Sequence, residues 1–251
     1  VLTVTDTSGK VIRRIEAPVK AGFHRVAWDL RYPMSSAWTP ETPGESYLQV
    51  LGPLAAPGTY TVSLAKRIDG MVTELAAPQS FEVVSIVERA IEGSPPGEMV
   101  AFTLRLDDIN RQVDGAEAAL EAMLTETGAI KATLMRSRAP AEMRDEARRI
   151  EMELLALQDK LKGNERRDLF NDPGPVSVSA RLQAAVIGTF RSTYGPTPML
   201  QRNVEIAESE FAGIREAITR INGSELPDLR SRLDQHGVPW TPGRGVPAEE
   251  N

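Results

Sequence analysis

Hydrophobic and polar positions follow two different periods along this chain. Up to about residue 86 the period is two. Strands are expected at residues 1–6, 11–16, 24–30, 59–66, 72–75 and 79–84. In the strand at 59–66, Tyr60, Val62 and Leu64 share one face while Thr and Ser positions share the other. At 24–30, His24, Val26, Trp28 and Leu30 lie on one side and Arg25, Ala27 and Asp29 on the other. Trp28 is therefore expected inside. Asp6-Thr7-Ser8-Gly9 and Asp69-Gly70 read as hairpin turns, because Gly reaches φ > 0 and Asp caps its own backbone. Residues 32–54 hold four prolines and read as a long structured loop.

Near Glu88 the period becomes three-four. Met99, Phe102, Leu106, Ile109, Val113, Ala116, Leu120, Met123, Thr127, Ile130 and Leu134 make one seam, with a break conceivable at Thr127-Gly128. A second seam runs through Met143, Ala147, Ile150, Leu154, Leu157 and Leu161, after a restart at Pro140. Ser177 or Ser179 can cap a shorter helix carrying Leu182, Ala185, Val186 and Thr189. Leu200, Val204, Ala207, Phe211, Ile214, Ile218 and Ile221 form the next seam, closed by Asn222-Gly223. Ser224 then opens a short last helix with Leu226, Leu229 and Leu233. The fold class is accordingly α+β, in more than one domain. An immunoglobulin- or fibronectin III-like β-sandwich spans 1–86, with its long loop at 32–54. An antiparallel four-helix bundle plus a short C-terminal helix spans 87–240, and a flexible tail spans 241–251. The seams can close on each other or serve self-association.

Charge divides along the same line. Residues 1–90 carry nine basic and nine acidic side chains, so the net charge of -6 belongs to the helical half. An acidic chain lacks the basic face that a nucleic-acid partner requires. No run of about 18 apolar residues is present, so no membrane insertion is expected. The absence of cysteine excludes disulfides and thiolate sites. With two histidines in the sequence, His24 and His236, a site of three histidines is excluded too. No metal or cofactor is expected.

Asp29 is the most suggestive acid, but a glycosidase needs two carboxylates flanking the bond, and no partner is identifiable. Pairing with Arg25 or Arg31, or capping of the loop, accounts for it. Asp107-Asp108 reads as a solvated helix face. His24 reads as a packed, hydrogen-bonded residue and His236 as a helix C-cap. Tyr32, Trp38 and Tyr47 are the candidate ligand-binding residues, as aromatics able to stack on sugar rings or to pack as a lid.

Three stretches carry a resemblance: Asp6 to Arg14 (DTSGKVIRR), Ala21 to Tyr32 (AGFHRVAWDLRY) and Gly52 to Val62 (GPLAAPGTYTV). Together with Pro175 to Leu182, Gly195-Pro196-Thr197 and Val238 to Pro242, they resemble the C-terminal region of bacterial sortilin-like, BNR-repeat glycosyl hydrolase proteins. The sandwich part is also similar to the Ig-like domain of flagellar hook-capping proteins. The first resemblance implies an exported parent, periplasmic or extracellular, with a β-propeller preceding this region as its partner. It implies a non-catalytic accessory or scaffolding module, because the propeller and its Asp-box turns are not in this sequence. A glycan-acting hydrolase fragment and a carbohydrate-binding module are the alternatives. The opening inside a strand reads as the trimmed edge of a longer protein.

Overall fold

The computed structural model describes residues 1–33, 52–86, 92–170, 172, 174–190 and 194–246. It is a mixed α+β structure. The described strands are β1 (Leu2–Thr5), β2 (Val11–Ile15), β3 (Gly58–Ile68) and β4 (Met71–Val83), joined antiparallel in the order β2-β1-β3-β4. The helices are α1 (Pro96–Leu134), α2 (Ala141–Lys162), α3 (Glu165–Leu169), α4 (Val178–Phe190), α5 (Pro198–Arg220) and α6 (Leu226–Gln235). The chain divides into two compact units, one of residues 1–108 and 188–197, the other of 109–187 and 198–251.

In the first unit both hairpin turns form as the sequence expects. Asp69 (φ 49) and Gly70 (φ 81) make a two-residue turn with both residues left-handed, the twist that suits flanking strands. The Asp6 carboxylate accepts the Ser8 and Lys10 amides at 2.9 and 3.0 Å and the Ser8 hydroxyl at 2.6 Å. These bonds hold its pKa below the ordinary value, the Ser8 hydroxyl contributing most. The expected strands at 72–75 and 79–84 are one strand, β4, which passes straight through Pro78. Proline lacks an N–H, and among the described strands β4 lies at the sheet edge, its register to β3 shifting between Val62 and Leu64, where that loss is tolerated.

The expected strand at 24–30 is absent. That stretch has no ladder, and the pairing nearby is an isolated bridge between Arg31 and Leu54. Leu30 sits at φ 58 and Asp29 Oδ1 accepts the Arg31 amide at 3.1 Å, so the extended run turns away there. Trp28 nevertheless points inward. It packs half-buried, with Tyr32, Ala55, Phe81 and Val83, on a core of Val4, Ile12 and Tyr60. Its ring meets Tyr60 edge-on at 5.4 Å and Phe81 at 6.1 Å. Leu30, expected on the same face, is exposed.

Along the helices the seams are buried almost position for position. From Phe102 to Leu134 every expected seam residue is buried, and Gly128 does not interrupt α1. The α2 seam is buried from Met143 to Leu161 and the α5 seam from Leu200 to Ile218. Ser177 caps α4 through the Ala180 amide at 3.2 Å, while Val186 turns outward. The expected stop at Asn222-Gly223 is not a stop. A π-helical turn, Ile221–Glu225, joins α5 to α6 with helical backbone on both sides, so the expected last helix, with Leu226, Leu229 and Leu233 buried, forms as a continuation of α5.

Cross-helix polar contacts fix directions. Glu117 meets Lys162 at 3.9 Å and Lys131 meets Glu151, so α1 and α2 are antiparallel. Glu153 with Arg220, Arg149 with Glu225 and Glu146 with Arg232 set α2 antiparallel to the α5–α6 rod. Gln112 with Arg215 and Glu126 with Arg230 make that rod parallel to α1.

The tail begins differently from expectation. Thr241 and Arg244 are buried, while Pro242, Gly243, Gly245 and Val246 are exposed, so the segment is anchored at two positions.

Candidate functional site

The second unit holds two dense groups of polar side chains. The first surrounds the π turn. Inserting one extra residue into a helix widens that turn, and this places Arg220 and Glu225 where both reach α2. Arg149 bonds Glu225 at 2.6 Å and approaches Glu153 at 3.6 Å, while Arg220 bonds both Glu153 and Glu225. The four form a closed ring of alternating charge. Beside it lies an open depression of about 420 Å³ lined by Glu146, Glu225, Asp228, Ser231 and Arg232. Glu146 is engaged by Arg232.

The second group is centred on α1. Glu126 is 6% exposed and accepts two parallel hydrogen bonds from Arg230, at 2.6 and 2.7 Å. Such a two-pronged bond suits the planar guanidinium and raises the Arg230 pKa above its ordinary value. Close by, Arg244 pairs with Asp234 and donates to the carbonyls of Val238 and Pro239 at 3.1 and 2.9 Å.

Chemically these groups are engaged with each other. A general acid or nucleophile must present a free lone pair or proton to a substrate, and here the glutamates of both groups are turned onto arginines of another element. Among the described residues no group of three or more His, Asp and Glu side chains converges for a metal ion.

The residues singled out from sequence are placed as follows. Asp29 caps the loop through the Arg31 amide, one of the two roles expected of it. His24 is exposed, a correction to the packed histidine expected, although its Nε2 does lie 2.6 Å from the Lys20 carbonyl. His236 ends α6, its amide donating to the Arg232 carbonyl at 3.1 Å. Tyr32 is half-buried against the Val4–Ile12–Tyr60 core, with its amide donating to the Pro53 carbonyl at 2.8 Å. Burial and then the Asp6 carboxylate raise the Tyr32 pKa above 10.0, and Tyr60 shifts upward likewise, burial again the main cause. Trp38 and Tyr47 lie outside the described residues. Gly52 backs directly onto the Tyr32 carbonyl, where a Cβ would overlap it, so the two ends of the long loop are held together by backbone.

Comparison with family models, with curated proteins and with solved structures finds no match.

No local pattern announces the Glu126–Arg230 and Arg149–Glu153–Arg220–Glu225 groups. On each helix they read as ordinary solvated positions. One signal was available: the five-residue step from Ile221 to Leu226 where the seam otherwise steps by three or four.

Proposed function

We propose that this chain is a non-catalytic accessory and scaffolding module of a larger exported protein, preceded in that protein by a BNR-type propeller. The observation that carries the reading is the engagement of charged side chains of one helix with those of another. Glu126 on α1 is held by Arg230 on α6, and Glu153 on α2 by Arg220 on α5. Such pairs fix helix register and direction; they leave little to present to a substrate.

Three consequences belong to the same reading. The four-stranded sheet is part of an Ig/fibronectin III-like sandwich, supported by its antiparallel order and its aromatic core. The helices form a bundle whose antiparallel character is supported by the buried seams and by α2, which runs opposite to both α1 and the α5–α6 rod, while that rod is parallel to α1. The partner is the propeller and the compartment is outside the cytoplasm, both supported by the sequence resemblance alone. No described helix is long and apolar enough to cross a membrane.

The test is a panel of aryl glycosides together with an array of soluble glycans, applied to the whole chain. Neither turnover nor binding is expected. Turnover abolished by Asp29→Asn would make the chain a hydrolase fragment. Glycan binding abolished by Trp38→Ala or Tyr47→Ala would make it a carbohydrate-binding module.

A further inference from the structure

Residues 238–246 fold back as a hook after α6. The Val238 amide donates to the Leu233 carbonyl at 3.0 Å, just past Gly237 at φ 59. Arg244 closes the hook on the carbonyls of Val238 and Pro239 and on Asp234. The Trp240 indole N–H is shared between the carbonyls of Arg244 and Gly245, at 3.1 and 3.0 Å. Gly243, at φ 92, lies so close on the Glu126 carboxylate that a Cβ there would overlap it.

Two groups inside the hook oppose its closure. Thr241 is 2% exposed and Arg244 7%, and neither Thr241 Oγ1 nor Arg244 Nε has a hydrogen-bond partner. Taking such a group out of water without replacing its hydrogen bond shifts an equilibrium toward the open form by roughly five- to a hundredfold. The counter-ion of Arg244, Asp234, has a side chain 56% exposed, which weakens that tie. The Glu126–Arg230 pair, by contrast, joins two helices and stands without the hook.

We propose that the hook is a latch, opening and closing as a unit while the helices stay folded, and that opening bares the Glu126–Arg230 pair to solvent. Closure is maintained by Arg244 and opposed by the unpartnered Thr241 hydroxyl. Opening of this kind is a sub-global event, with its own free energy below that of the whole unit.

Hydrogen exchange followed by mass spectrometry on the whole chain tests this. The Val238 and Arg244 amides should exchange much faster than those of α5, and with little dependence on dilute denaturant. Thr241→Val removes the unpartnered hydroxyl at nearly constant shape and should slow hook exchange by about tenfold. Arg244→Gln removes the clasp and should speed it by about tenfold or more, with α5 amides unchanged in both variants. The proposal is overturned if hook and α5 amides exchange in step in the unaltered chain. It is equally overturned if the two substitutions move hook exchange in the same direction, or if either one releases the α5 amides along with the hook.

Discussion

Ile221 and Leu226 are five positions apart, yet both are fully buried on the same seam. An α-helix turns about 500° over five residues and would swing Leu226 well off the stripe that carries Ile221. The π turn absorbs the additional residue, so α6 resumes the seam with Leu226, Leu229 and Leu233 inside. Deleting Gly223 restores a four-residue step and removes a helical glycine that by itself disfavours helix by about 1 kcal/mol. The deletion variant should keep cooperative melting, with stability within about 1 kcal/mol of the unaltered chain; circular dichroism measures both. Loss of a cooperative transition would mean that α6 depends on the π turn for more than phase.

Removing either member of the Glu126–Arg230 pair should have unequal consequences. Glu126 is far more buried than Arg230, the side chains being 7% and 27% exposed. Arg230→Ala leaves the more buried charge without a partner and should destabilise by about 3–5 kcal/mol. Glu126→Ala leaves a partly hydrated guanidinium and should destabilise less. Chemical denaturation of the two variants gives the order.

Alkaline pH should loosen the first unit. The buried phenols of Tyr32 and Tyr60 hold their protons above 10.0 in the folded state, so folding favours the protonated form. Their contribution is fully present below the unfolded value and is lost as pH rises through the folded one. Ultraviolet titration should show part of the four-tyrosine signal delayed above pH 10.0, and Tyr60→Phe should remove part of that delayed fraction. Simultaneous titration of all four would contradict the burial.

Trp28→Ala should destabilise the sheet unit by about 3 kcal/mol, the low end for a large aromatic because the ring is half-exposed. Trp28→Phe should recover much of that, since the edge-on contacts to Tyr60 and Phe81 need only a ring. Thermal melts of the two variants give both values.

The long helices were legible in sequence because each carries a stripe whose spacing specifies both the element and the buried face, whereas the five-residue α3 carries none and was not expected. Met143, Ala147, Ile150, Leu154, Leu157 and Leu161 are an instance in which every position is inside. The Asp69-Gly70 turn was legible for a local reason, the left-handed backbone that two-residue hairpins require. The stretch at 24–30 alternates correctly for Trp28 yet has no strand partner, and alternation alone cannot report a missing neighbour. The sequence suggests two strands, 72–75 and 79–84, where β4 is one, because tolerance of Pro78 depends on edge position, which is a property of the sheet. The prolines and glycines of the hook point in sequence to a flexible tail. What orders it is Arg244 and the contact of Gly243 with Glu126, more than a hundred positions away. Of the candidate ligand aromatics, Tyr32 reads in sequence as a ring able to stack or to pack as a lid, and its place against the Val4–Ile12–Tyr60 core depends on strands distant along the chain.

The seams of α1, α2 and α5 are buried within one chain, and on the proposed reading no second copy is needed to cover them. Sedimentation equilibrium measures this most directly. A single species of 27.4 kDa over a wide concentration range is the expected result. A tight dimer that dissociates to a still-helical monomer on Leu106→Glu or Leu134→Glu would contradict it, and would assign those seams to assembly.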